Sequence, residues 1–220
     1  MKKEDTLKGS ITKTEVVEPS TTSTIVIKPL NTKIFTIDVC AITGSSLISH
    51  RLDGDVVEAF MKREIGEAKV RQVRSYEKEY ESCFYYTLDK KYGIPAASFM
   101  NAMLDAAVAC NIPKTQIKRA IRVLGDVLEL KYKKINHRVD YPRRSGRNSA
   151  PDTRHRPEFI DWSCTLMIQY DESQISPDQI INLVNQAGFS SGVGDWRPSS
   201  PSSSGTHGMF KVVSKKETPK

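Results

Sequence analysis

Nothing in this 220-residue sequence is apolar for long enough to cross a bilayer. The least charged long stretch, Ile94 to Pro113, is interrupted by Asn101, Asp105 and Asn111, whereas a membrane helix needs about twenty largely apolar residues. It is expected instead as a buried amphipathic helix, and no membrane partner is expected. The opening Met1-Lys2-Lys3-Glu4-Asp5 has no apolar run behind it of the kind a secretory signal carries, which predicts a cytoplasmic protein. Cysteine is scarce: Cys40, Cys83, Cys110 and Cys164 lie far apart, with no Cys-x-x-Cys and no Cys/His spacing typical of zinc. Reduced thiols, most of them buried, are the expected state, with no metal site. A Walker A loop, a Gly-x-Gly-x-x-Gly after a strand, a convergent set of acids for metal-dependent chemistry and a local Ser/His/Asp signature are all missing. No cofactor is expected, and a binding function is favoured over catalysis.

What the sequence does have is charge in one place. There are 33 Lys and Arg against 26 Asp and Glu, a net charge of +7. Residues 131 to 156 hold nine of the basic residues and two of the acids, a local excess that equals the whole. The remaining 24 basic residues (33 less nine) and 24 acids (26 less two) cancel. At 38% hydrophobic and 8% aromatic the chain is too apolar to be wholly disordered, and its length allows one generous domain or two small ones.

Periodicity then sets the layout. Residues 1 to 30 read as a flexible arm with one apolar cluster, Thr24 to Ile27, able to add a short strand. A single α+β domain is expected over 31–213, with a basic insertion at about 131–157 and a disordered tail at 214–220. Phe35, Ile37, Val39 and Ala41 alternate with Ile34, Thr36, Asp38 and Cys40, the pattern of a half-buried strand. Val56, Val57, Phe60 and Met61 mark a short helix, residues 62 to 82 read as a solvated helix or mobile insertion, and Phe84, Tyr85, Tyr86 and Leu88 read as a strand. Pro95 suits a helix start, with Phe99, Met103, Ala106, Ala107 and Cys110 on one face. A second helix is expected from Pro113 to Gly125, with Ile117, Ala120, Ile121 and Leu124 as its apolar stripe and Lys114, Lys118 and Arg122 at four-residue spacing. Trp162, Cys164, Leu166, Ile168 and Tyr170 alternate as a strand, and Ser176-Pro177-Asp178-Gln179 is a capping box opening a helix that Gly188 is placed to end. A glycine- and serine-rich loop and a last strand at Met209 to Val213 follow. The expected fold is a ferredoxin-like or RNA-recognition-like antiparallel sheet with helices packed on one side.

Three segments carry the candidate chemistry. The basic segment is short of large aliphatic residues, so it is expected not to fold onto itself as a core element. Its Arg138, Arg143, Arg144, Arg147, Arg154 and Arg156 offer bidentate phosphate contacts, helped by Lys114, Lys118 and Arg122. Tyr141 and Trp196 are stacking candidates for unpaired bases. A solvated, solubilising loop is the plain alternative. Second, Gly44-Ser45-Ser46-Leu47-Ile48-Ser49-His50-Arg51 lies between strand and helix, where backbone N–H groups can meet a phosphate; Gly44, His50 and Arg51 are its candidate contacts. His50 or His137 could also serve a metal-independent ribonuclease as general base. Third, in Gly192-Val193-Gly194-Asp195-Trp196-Arg197-Pro198, Trp196 could stack a base or cap the core, and Arg197 could pair a phosphate or a neighbouring Asp161 or Asp195.

These strings also resemble a known set of proteins. Ile42 to Arg51 is similar to an early Gly-(Thr/Ser)-x-x-Leu-(Leu/Ile)-x-His-Arg segment of phage and prophage proteins, Ile94-Pro95 to the start of their central helix, and Arg156-Pro157-Glu158-Phe159-Ile160-Asp161-Trp162 to the start of a strand. Ala187-Gly188, Gly192 to Pro198 and Gly208-Met209-Phe210 resemble their closing loop. The likeness spans about residues 33 to 213, departing in the serine-rich stretch between Trp196 and Gly208 and at Ser49. The layout looks like the RAMP superfamily of CRISPR backbone proteins, with a modified RNA-recognition core and a glycine-rich loop before the last strand. The resemblance implies binding of single-stranded DNA or RNA with little sequence preference, with a possible homo-oligomer along the strand. A structural protein of a phage particle is the alternative.

Overall fold

The computed structural model describes residues 30–52, 54–64, 74–141, 152–201 and 205–213. Contacts divide the chain into Met1–Leu30 and Asn31–Lys220. The expected N-terminal arm, the C-terminal tail and Arg143, Arg144 and Arg147 lie outside the described residues.

The described chain is α+β. Strand β1 (Thr32–Ala41) is followed by a two-residue β2 (Leu47–Ile48), helices α1 (Gly54–Glu64) and α2 (Tyr76–Ser82), and the hairpin of β3 (Tyr85–Tyr86) and β4 (Tyr92–Pro95). Helices α3 (Ala96–Ala109) and α4 (Lys114–Ala120) lead to β5 (Ile121–Val123), β6 (Val127–Lys131) and β7 (Lys134–Asp140). Then come β8 (Arg154–Ile160), β9 (Ser163–Asp171), α5 (Pro177–Ser190) and β10 (Phe210–Val212).

The main sheet runs β10-β1-β9-β6-β4-β3, with β5 also on β9. β5 and β6 lie end to end along β9, at Ile121↔Tyr170 to Val123↔Ile168 and again at Leu130↔Cys164. Counted as one interrupted strand, they give the order fourth, first, third, second of a strand–helix–strand–strand–helix–strand unit, all antiparallel. This is the ferredoxin-like arrangement, to which the β3–β4 hairpin adds an edge. α3 and α5 pack together over the face bearing Ile37, Val39, Leu166 and Ile168, all at most 7% exposed. The opposite face stays open, with Ile34, Thr36, Thr165 and Met167 exposed. The predicted alternation in β1 and β9 therefore corresponds to one covered and one open face.

Three local readings are corrected. The second helix stops at Ala120 rather than Gly125, because Ile121–Val123 pairs with β9 instead. β-branched residues opposite a waiting sheet edge prefer the strand, and tertiary pairing overrides the helical stripe. Arg122 thus stands on a strand, and Lys114, Lys118 and Arg122 are not one helical face. Gly188 does not end α5, which continues to Ser190; it lies where a Cβ would come 1.8 Å from the Phe210 carbonyl, so it lets β10 approach the helix. Third, the described ends of the basic segment do form strands: β7 and β8 pair from Lys134↔Ile160 to Asp140↔Arg154, and β2 joins β8 to make a second, three-stranded sheet. Backbone pairing needs no aliphatic side chains, and Phe159, 1% exposed, supplies the apolar anchor.

Candidate nucleic-acid interface

The three motif segments, far apart in sequence, meet at one place. Leu47–Ile48 pairs with Phe159 and Glu158 on one side. On the other, the Asp195 amide donates to the Ile48 carbonyl (3.0 Å) and the Gly208 amide to the Ser46 carbonyl (2.7 Å). Gly194 and Gly208 have φ of +76° and +66°, and a Cβ on Gly208 would lie 1.7 Å from the Val193 carbonyl. Only glycine permits that turn and that approach together. Ser45 Oγ donates to the Thr206 carbonyl and accepts from the Met209 amide, while Ser46 Oγ donates to Glu158 (2.7 Å) and lies 2.9 Å from His207 Nδ1. Ser45 and Ser46, in the segment expected to meet a phosphate through its backbone N–H groups, instead tie two loops together. Gly44 (φ +82°) is exposed and turns the chain, with the Ser45 amide donating to the Ile42 carbonyl. Arg51 is exposed.

At the centre is an ion network that sequence reading missed. Arg156 is 3% exposed and donates through Nη1 to Asp195 and through Nη2 to Asp140, both at 2.5 Å. Arg138 donates from Nε to both Asp140 oxygens (2.9 and 3.0 Å) and from Nη1 to Glu158 (3.0 Å). Trp196, at φ +58°, sits half-buried beside both arginines, with their guanidinium carbons 5.6 and 5.9 Å from its ring centre. A bulky residue there is a backbone outlier, held by the cation–π contacts. His50 Nδ1 lies 2.9 Å from the same Asp195 oxygen that Arg156 engages. Burial pushes the Asp195 carboxyl up, but His50 and Arg156 outweigh it and hold it below the usual range. Glu158 behaves alike: burial is overcome by Ser46, Arg138 and Asn136. The alternating Arg/Asp pattern of Arg138, Asp140 and Arg156 was the available signal, since strand pairing aligns 138 with 156 and places 140 beside them.

The other expected contacts scatter. Arg154 Nε is 3.8 Å from Asp152. Tyr141, at 69% exposed, stands just past the end of β7. Lys114 pairs with Asp105 at 2.8 Å. Lys118 and Arg122 are exposed along a shallow groove with Met100 and Asn101. Arg197 donates to the Gly194 carbonyl (2.9 Å) and to Ser199 Oγ (3.2 Å), not to Asp161 or Asp195. It lines a cleft of about 210 Å³ with His50, Ser98 and Asn101. His137 Nε2 faces His155 Nδ1 at 2.9 Å, the pair covered by Tyr80 and Tyr76 from α2. Lys131, Lys133 and Lys134 are all exposed, Lys133 lying 3.8 Å from Asp161. Among the described residues no group of three or more His, Cys, Asp or Glu is placed to hold a metal, and no helix is long and apolar enough to cross a membrane. Burial pushes the Cys83 thiol up to about 11 and Cys164 to about 12, so both are unreactive; Cys110, by contrast, is exposed.

No protein-family model matches the sequence, and no curated protein matches it. Among solved structures it is similar, at 10% identity and a TM-score of 0.47, to a chain of the "Cryo-EM structure of the Type III-B Cmr-beta bound to cognate target RNA". The match covers 83% of this chain and 59% of that one, so this chain spans less than two thirds of the length of the protein it matches.

Proposed function

We propose that this protein binds single-stranded DNA or RNA with little sequence preference. The observation behind it is that the whole net charge of +7 falls within residues 131–156, the β7–β8 hairpin and its connection. Cations on phosphates release counterions, the main drive of non-specific binding. Within that segment Arg138 and Arg156 are engaged by carboxylates, so the phosphate contacts fall to Lys131, Lys134, Arg143, Arg144 and Arg147, with Lys118 and Arg122 in support. Host-cell cytoplasm is the setting that the phage-protein resemblance suggests.

The test is titration of a labelled dT oligomer at several salt concentrations. Five engaged phosphates give a log–log slope of about −3.5. Replacing residues 142–151 by a short turn removes three arginines and should flatten it to about −1.5. A flat response in the intact protein, or no binding at low salt, overturns the proposal. Assembly into large particles without nucleic acid, seen by mass measurement, would favour the structural alternative.

A further inference from the structure

Beside the basic hairpin runs a line of three tyrosines that no motif drew attention to. The Tyr86 and Tyr92 rings lie 5.5 Å apart and those of Tyr92 and Tyr132 6.1 Å apart. They come from three separate elements: β3, β4 and the turn between β6 and β7. Two phenylalanines already close the seam between the sheets, Phe84 at 4% and Phe159 at 1% exposed, stacked against or edge-on to Tyr92. Sealing the core therefore does not require the outer tyrosines, yet Tyr86 is 45% and Tyr132 38% exposed. Tyr132 edge-packs on Phe159 at 5.2 Å, which fixes the ring while leaving part of it in solvent. Lys131 and Lys134, either side of it in the chain, are exposed cations.

We propose that Tyr86, Tyr92 and Tyr132 form a stacking platform for successive unpaired bases of single-stranded nucleic acid, whose phosphates the adjoining lysines hold. This rests on the nucleic-acid-binding reading above and moves the base contacts away from Trp196, whose ring lies beside two carboxylate-paired guanidinium groups. Rings held in place by packing stack a base at little ordering cost, and any base offers a π-face, so recognition is insensitive to sequence. The lysines supply the complementary charge, which an apolar protein partner would not use.

The experiment compares a dT oligomer with an abasic deoxyribose-phosphate oligomer of equal length, by fluorescence anisotropy. The intact protein should bind dT more tightly. The Tyr86→Leu/Tyr132→Leu variant should lose at least about fivefold in dT affinity for each ring removed, with abasic binding and salt slope unchanged; Tyr86→Phe/Tyr132→Phe should bind dT as the intact protein does. Equal dT binding by the leucine variant, or equal losses on both oligomers, overturns the platform but leaves the binding function standing. Binding of neither oligomer by the intact protein overturns that function and the platform with it. Photocrosslinking of the unaltered protein to a 5-iodouracil oligomer gives a readout independent of variant folding. Adducts at Tyr86 or Tyr132 are expected, and adducts confined to Tyr141 or Trp196 overturn the platform.

Discussion

Arg156 shows how much one side chain's role depends on burial. On sequence it is one of six arginines in a basic run; in the fold it is 3% exposed, with Asp140 on one side of its guanidinium and Asp195 on the other. Buried charge survives only when paired, and removing one partner of such a set leaves uncompensated charge at a cost of about 3–5 kcal/mol. Arg156→Met is therefore expected to destabilise the protein by about 3 kcal/mol in urea unfolding, the low end of that range, because Asp140 keeps Arg138 and Asp195 keeps His50. Residual folded protein should keep its oligonucleotide affinity. A loss of affinity without a loss of stability would instead return Arg156 to the phosphate contacts. Trp196 belongs to the same set: its positive φ and its place beside Arg138 and Arg156 make it part of the scaffold that aims the glycine loop.

Among the elements, α5 is the one most fully specified locally. The Ser176 hydroxyl accepts from the Gln179 amide while the Gln179 side chain accepts from the Ser176 amide, with Pro177 in the first turn. Ile180, Leu183, Val184 and Ala187 face the core. Ser176→Ala removes half of the reciprocal cap and should cost about 1 kcal/mol, read as a lower urea midpoint with an unchanged slope. The β7–β8 hairpin is the opposite case. Its residues have no apolar alternation to announce a strand; it is held by ladder bonds, by Phe159 and by the arginine–carboxylate network, and α2 lies across it through Tyr76 on His155 and Tyr80 on His137.

For the molecule as a whole, the network joins the β2 segment, both hairpin strands and the glycine loop, so its ionisation should be felt in global stability. Asp195 and Glu158 both titrate below their ordinary values in the folded protein. The stability they contribute is present above the unfolded-state values near pH 4 and is lost as pH falls through the folded values. Thermal melting should thus show Tm falling as the pH drops below about 4.5, with a shallower fall in Asp195→Asn. An equally steep drop in that variant would assign the acid sensitivity to other carboxyls.

Sequence periodicity by itself determined β1, β9, α3 and α5, because each buries one regular face and so repeats at two or 3.6 residues; the α+β class follows from them. It also located the charge, since that is a matter of counting. Tertiary structure alone decided which cations are spent. Side chains as distant as residues 138, 156 and 195 become partners only once strand pairing and two positive-φ glycines bring their segments together, and no local pattern encodes that. The same holds for Ile121–Val123, taken from a helix by a sheet edge it could not see in sequence, and for Tyr132, brought beside the hairpin pair Tyr86 and Tyr92 only by the tertiary fold. Local repetition is legible because its energy is local; burial and ion pairing depend on what the rest of the chain brings alongside.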